Sequence, residues 1–203
     1  MEFWNSELTE KSWKILQEIR TKYNFILIGG WATYLWAKQQ KSKDVDIVVD
    51  ILELHKLKKE NLSKNENLKK YEIKFGDIDI DIYVEYYSKL TIPVEDIKHY
   101  ATKLQGFNVV IPEILLILKQ GAEKDREHSI KGEKDRQDIV SLLFFSEIDF
   151  KKYDEILSKY SKKEYLLRLK SILTSFKNYN SMNMSPGDLK KKKDSIINRI
   201  RLI

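Results

Sequence analysis

Along this chain apolar positions recur at two spacings, and the passage from one to the other marks out its elements. Leu8, Trp13, Leu16 and Ile19 keep helical spacing after Ser6, a residue that can cap, so residues 5–22 are predicted as a helix. Residues 25–28 are a short apolar run ending at Gly29-Gly30, which suits a buried strand entering a tight turn, and helical spacing resumes over 31–40. Residues 45–49 are apolar at every position but Asp46 and read as a strand. Residues 52–68 read as a polar, Lys-rich helix, and 71–75 as a strand broken by Gly76-Asp77. The clearest strand is 78–86, with Ile78, Ile80, Ile82 and Val84 on one face and Asp79, Asp81, Tyr83 and Glu85 on the other. Residues 91–112 suit short extended pieces. Pro112 fits a first helical position, and helical spacing follows over 113–127, 134–145, 150–160 and 163–178, with Gly132 as an interruption. A loop at 180–187 leads to a final basic helix. There is no internal repeat. The order predicts an α+β fold: a mixed β-sheet with flanking helices over residues 1–111, then a helical C-terminal region over 112–203.

Composition narrows the chemistry. Of 203 residues, 42% are apolar and 33% charged, enough for a packed core and too apolar for general disorder. The chain has no cysteine, which excludes a disulfide scaffold, a thiolate metal site and a cysteine nucleophile. His55, His99 and His128 fall in separate segments without ligand-like spacing, against a histidine-based zinc site. The longest uncharged apolar stretch, 25–37, is 13 residues against about 20 needed to cross a bilayer. Glu2, Glu7 and Glu10 stand where an export signal carries basic residues. A cytoplasmic protein without a membrane segment is expected. The net charge is +6, and residues 188–201 carry most of it through Lys190, Lys191, Lys192, Lys193, Arg199 and Arg201. This tail is either a solvated helix end or a holder of a polyanion such as RNA.

Five groups of residues carry candidate chemistry. Gly29-Gly30 between a strand and a helix allows backbone amides to approach a phosphate closely, although a plain strand-to-helix turn needs glycine as often. Asp44 and Asp46, at i and i+2 of an extended segment, project together while Val45 and Ile47 point away. Two such carboxylates repel unless a cation lies between them, and Mg²⁺ is the natural one; the alternative is a solvated strand edge. Asp79 and Asp81 share the polar face of the strand at 78–86, and a third acid on a neighbouring strand would complete a site for two Mg²⁺ ions. Lys119 lies beside the apolar stripe of its helix, placed either to snorkel or to reach a phosphate. Lys134, Asp135 and Asp138 open the next helix, where acids favour the N-terminus and Lys134 can pair with Asp138.

Taken together, Ile28-Gly29-Gly30-Trp31-Ala32 followed by Ser42-Lys43-Asp44-Val45-Asp46-Ile47-Val48-Val49 resembles the nucleotidyltransferase superfamily related to DNA polymerase beta. Gly-Gly-Trp-Ala, Pro112-Glu113 leading into Leu115-Leu116 and Lys119, and Arg126 followed by Lys134-Asp135 and Asp138 look most like its AbiEii-type, toxin-like members. The resemblance covers roughly residues 20 to 145 and leaves out the basic tail. It implies a nucleotidyltransferase core that transfers a nucleoside monophosphate from a nucleoside triphosphate to an acceptor hydroxyl with two Mg²⁺ ions. It implies Asp44, Asp46 and Asp81 as metal ligands and catalytic acids, Asp81 being preferred to Asp79 for its Asp-Ile-Tyr-Val wording. It further implies Gly29, Gly30, Ser42 and Lys119 at the nucleotide, supported by Asp135 and Asp138. Gly30 stands where many relatives carry serine, so a hydroxyl contact there is missing. The acceptor implied is tRNA or another macromolecule such as a protein, with a cognate antitoxin as partner. A small-molecule nucleotidyltransferase and a non-catalytic nucleotide- or RNA-binding module are the alternatives.

Overall fold

The described residues, 6–203 of the chain in this computed structural model, fall into two units, one ending at Ile111 and the other spanning Pro112–Ile203. Residue 5, where the first helix is predicted to begin, and Glu2 lie outside the described residues. The first unit runs α1 (Ser6–Lys22), β1 (Ile26–Ile28), α2 (Gly29–Ala37), β2 (Val45–Val49), α3 (Ile51–Leu57), β3 (Ser63–Asn65), β4 (Lys70–Phe75), β5 (Ile78–Val84), α4 (Val94–Ile97), β6 (Ala101–Leu104) and β7 (Phe107–Val110). Its strands form one seven-stranded sheet in the order β3-β4-β5-β2-β1-β7-β6. β2 is parallel to β5 and β1 to β7; the other neighbours are antiparallel. This is the mixed-sheet α+β fold that the element order predicts.

The alternation in β5 decides the two faces of the sheet. Ile78, Ile80, Ile82 and Val84 are almost wholly buried, each contributing about 2 kcal/mol by leaving water. Register then carries the pattern sideways. Ile47 of β2 lies opposite Ile82, and Ile73 of β4 opposite Ile80, so one face is apolar across three strands. Ile15 and Ile19 of α1 lie over it, sharing a small cavity with Ile47, Ile73 and Ile80. The opposite face takes Asp46, Asp79 and Asp81. α2 is fixed by Trp31, which is 1% exposed: its ring lies 5.0 Å from that of Trp13, and its indole N–H donates to Ser12 Oγ at 2.8 Å.

Two predicted elements come out differently. The helix predicted over 52–68 ends at Leu57, passes through one 3₁₀ turn and stops at Asn61, whose φ of 53° is left-handed. Ser63–Asn65 then pairs with β4 as an edge strand. The lysine-rich segment has no continuous apolar stripe to hold a helix on the sheet. Gly29-Gly30 forms the opening of α2 rather than a turn ahead of it.

The second unit is helical: α5 (Pro112–Asp125), α6 (Ile130–Phe145), α7 (Phe150–Lys159), α8 (Glu164–Ser175) and α9 (Pro186–Arg201). α5 is buried on nearly every side, so its polar residues need partners. Glu113 accepts from the Asp149 amide at 2.8 Å, and Gln120 donates to the Tyr165 carbonyl at 2.8 Å while accepting from the Tyr153 hydroxyl. Glu123 joins Arg136 and Arg168. Gly132, predicted as an interruption, instead lies in the first turn of α6, capped by Ser129. A Cβ there would fall 2.2 Å from the Arg126 carbonyl oxygen, so glycine is what admits the preceding turn.

Candidate active site

Asp46 and Asp81 are Cα partners on the adjacent parallel strands β2 and β5, so their side chains leave the sheet on one face. Glu72 of β4 is the next partner of Asp81, which extends the acidic row. Lys70 answers it: 9% exposed, it places its ammonium 2.6 Å from Asp81 Oδ2 and 3.1 Å from Glu72 Oε1. The other oxygen of Asp81, Oδ1, is buried with no hydrogen-bond partner among the described residues. Burial, and next the charge of Asp46, push the Asp81 carboxyl up to about 6 against the pull of Lys70. Burial opposes the charge on Lys70, but Asp81 and Glu72 outweigh it and hold the ammonium above its ordinary value.

Gly29 sits directly against Asp46. Its φ is 67°, and a Cβ at that position would lie 2.0 Å from Asp46 Oδ2. Glycine is required both by the left-handed backbone and by the approach to the carboxylate. Ile28 precedes α2 without a side-chain cap, so first-turn amides of a nine-residue helix open beside the acids. Gly30 follows inside that turn and Ser42, 5% exposed, lies in the segment between α2 and β2.

Asp44 is placed differently from Asp46. It precedes β2, and its Oδ1 accepts from the Asp79 backbone amide at 3.4 Å. Among the described residues no three acidic or histidine side chains are gathered closely enough to hold a metal ion. The arrangement is therefore a pair, Asp46 and Asp81, with Asp44 just ahead of β2 and hydrogen-bonded to the β5 backbone. Asp79 shares the face but lies opposite Lys74 in the β4–β5 register. The pair suits a cation: two carboxylates side by side, one raised by burial and by the other's charge, with one buried oxygen unpartnered.

Lys119, Asp135 and Asp138 belong to the second unit and form a buried cluster of their own. Lys119 Nζ lies 2.7 Å from Asp138 and 3.4 Å from Asp135. Lys134 reaches Asp138 at 3.1 Å, the expected i,i+4 pair, and Arg126 reaches Asp135 at 2.6 Å. Burial disfavours the Asp138 carboxylate, but Lys119 and Lys134 outweigh it and hold its pKa below the ordinary range. Here the acids orient the lysine between α5 and α6.

The basic tail is a packed helix. Lys193 Nζ donates to the Thr174 and Phe176 carbonyls at 2.7 and 2.9 Å, closing the C-terminus of α8. Lys192 lies over Phe145, and Arg199 over Phe150 with a bond to the Ile148 carbonyl. Lys190, Lys191 and Arg201 remain exposed.

Lys70 is the residue that sequence reasoning missed. Its partner lies on another strand, and its signal is the charged alternation Lys70, Glu72, Lys74 facing the alternation of β5.

No protein-family model and no curated protein matches the sequence. Solved structures match the fold. JHP933 from Helicobacter pylori is similar over 96% of this chain and 92% of its own, with a TM-score of 0.56 and 16% identity. A candidate nucleotidyltransferase from H. pylori is similar over 97% and 96%, with a TM-score of 0.54 and 15% identity. The chain thus shares a nucleotidyltransferase-like α+β fold with these proteins.

Proposed function

We propose that the protein is a Mg²⁺-dependent nucleotidyltransferase that moves a nucleoside monophosphate from a nucleoside triphosphate to a macromolecular hydroxyl. The observation that carries this reading is the register pair Asp46–Asp81 beside the Gly29 approach and the uncapped start of α2. Asp46, with Asp44 ahead of it and Asp81 across from it, would hold Mg²⁺. When bound, Mg²⁺ would neutralise the triphosphate and favour attack at its α-phosphorus. The amides at Gly29 and Gly30 would take phosphate oxygens, helped by the dipole of α2. The Asp81 carboxylate would take the proton of the acceptor hydroxyl. The new bond joins the acceptor oxygen to the α-phosphorus, and the bond to the bridging oxygen of the leaving pyrophosphate breaks. Most of the acceleration would come from positioning and charge neutralisation.

The resemblance to AbiEii-type members extends the proposal to a toxin-like role with a cognate antitoxin and to tRNA or protein as acceptor. The test is incubation of each α-labelled triphosphate with Mg²⁺ and total RNA or cell protein. Label should enter a macromolecule with the native chain and not with Asp46→Asn. Label appearing only in a low-mass product would point to a small-molecule acceptor. Labelling that survives Asp46→Asn would refute the assignment of the site.

A further inference from the structure

The acidic face carries its own cation. Lys70 opens β4, its side chain is 11% exposed, and its ammonium bridges Asp81 and Glu72. Its position follows from register: Glu72 opposes Asp81, and Lys70 lies two residues before Glu72 on the same face. Asp81 Oδ1 is buried without a hydrogen-bond partner, and no three acids are gathered as a metal cluster among the described residues. A divalent ion bound to Asp81 Oδ2 would have to displace an ammonium already in contact or sit against it.

We propose that Lys70 stands in for one of two divalent ions, so that the site takes a single ion on the Asp46 side while Lys70 fixes Asp81. This rests on the nucleotidyltransferase reading and departs from the two-ion arrangement the resemblance implies. Lys70 is a positioning residue: it ties up Oδ2 and so fixes the Asp81 carboxylate on its strand. The division of labour is then a mobile cation for the triphosphate and a covalently tethered one for the acceptor-side acid.

The test is the number of Mn²⁺ ions bound per full-length chain, followed by loss of the free-ion electron paramagnetic resonance signal, with Mn²⁺ as the only added ligand. The native chain should bind one ion, and Asp46→Asn should lose it. Lys70→Met should bind two, whereas Lys70→Arg, which keeps the charge, should stay at one. Circular dichroism checks that each variant is folded; if Lys70→Met does not fold, the native chain and Lys70→Arg decide. Two ions on the native chain, or two on Lys70→Arg, overturns the inference and leaves the nucleotidyltransferase reading standing. So does a single ion on folded Lys70→Met. No ion that depends on Asp46 overturns both.

Discussion

Asp46 and Asp81 face each other across β2 and β5 in parallel register, so two carboxylates more than thirty residues apart in the chain share one patch of one sheet face. The raised Asp81 carboxyl follows from burial and that neighbour. Because its native pKa of about 6 exceeds the ordinary value of 3.8, the native state binds more protons than the unfolded state between those values. The contribution of Asp81 to stability is therefore greatest below pH 4 and falls as pH rises through 6, by on the order of 3 kcal/mol. Carboxyl NMR of the metal-free protein should find this titration. Lys70→Met should move it higher, and a midpoint in the ordinary carboxylate range would contradict the burial argument.

Gly29→Ala should disrupt both backbone and site. The substitution forces a side chain into left-handed φ and against the Asp46 carboxylate. A loss of about 2–4 kcal/mol in urea denaturation is expected. Gly76→Ala, which also has positive φ but open space around it, should cost no more than about 1–2 kcal/mol.

The buried cluster of the second unit gives a different pH signature. Asp138 is held below its ordinary pKa, so its contribution is present above the ordinary value and is lost as pH falls through the lowered one. Asp138→Asn should cost about 3–5 kcal/mol at neutral pH, because Lys119 and Lys134 then lie buried without their shared carboxylate. Thermal melts against pH for the two proteins should converge at low pH.

The tail separates stability from binding. Lys193→Met removes the contact that closes α8 and should cost about 1–3 kcal/mol. Neutralising exposed Lys190 and Lys191 together should stay within about 0.5 kcal/mol. The double variant is therefore the proper test of RNA binding: a weaker, less salt-dependent complex is expected if the tail holds RNA.

Much of this arrangement was legible from residue pattern. The alternation over Ile78–Val84 marked both the strand and its acidic face, and the single Asp46 within an apolar run marked β2. Rules that act within one element reached no further. The i,i+2 spacing of Asp44 and Asp46 predicts one strand's pair, yet Asp44 falls before the strand begins. The segment after Leu57 has helix-forming lysines but no apolar stripe, and pairing with β4 prevailed over propensity. Gly132 looks like a break in the helical pattern, whereas its role, admitting the Arg126 carbonyl of the preceding turn, is set by packing outside its own helix. Lys70 and Asp81 meet only through register, which local pattern does not specify.

The most direct test of the acid pair is paramagnetic broadening of backbone amide resonances by Mn²⁺ in the full-length chain. Gly29, Gly30, Asp46 and Asp81 should broaden first, and Asp46→Asn should abolish the effect. If those four amides stay sharp, or if they broaden equally in Asp46→Asn, the carboxylates at 46 and 81 do not form a cation site.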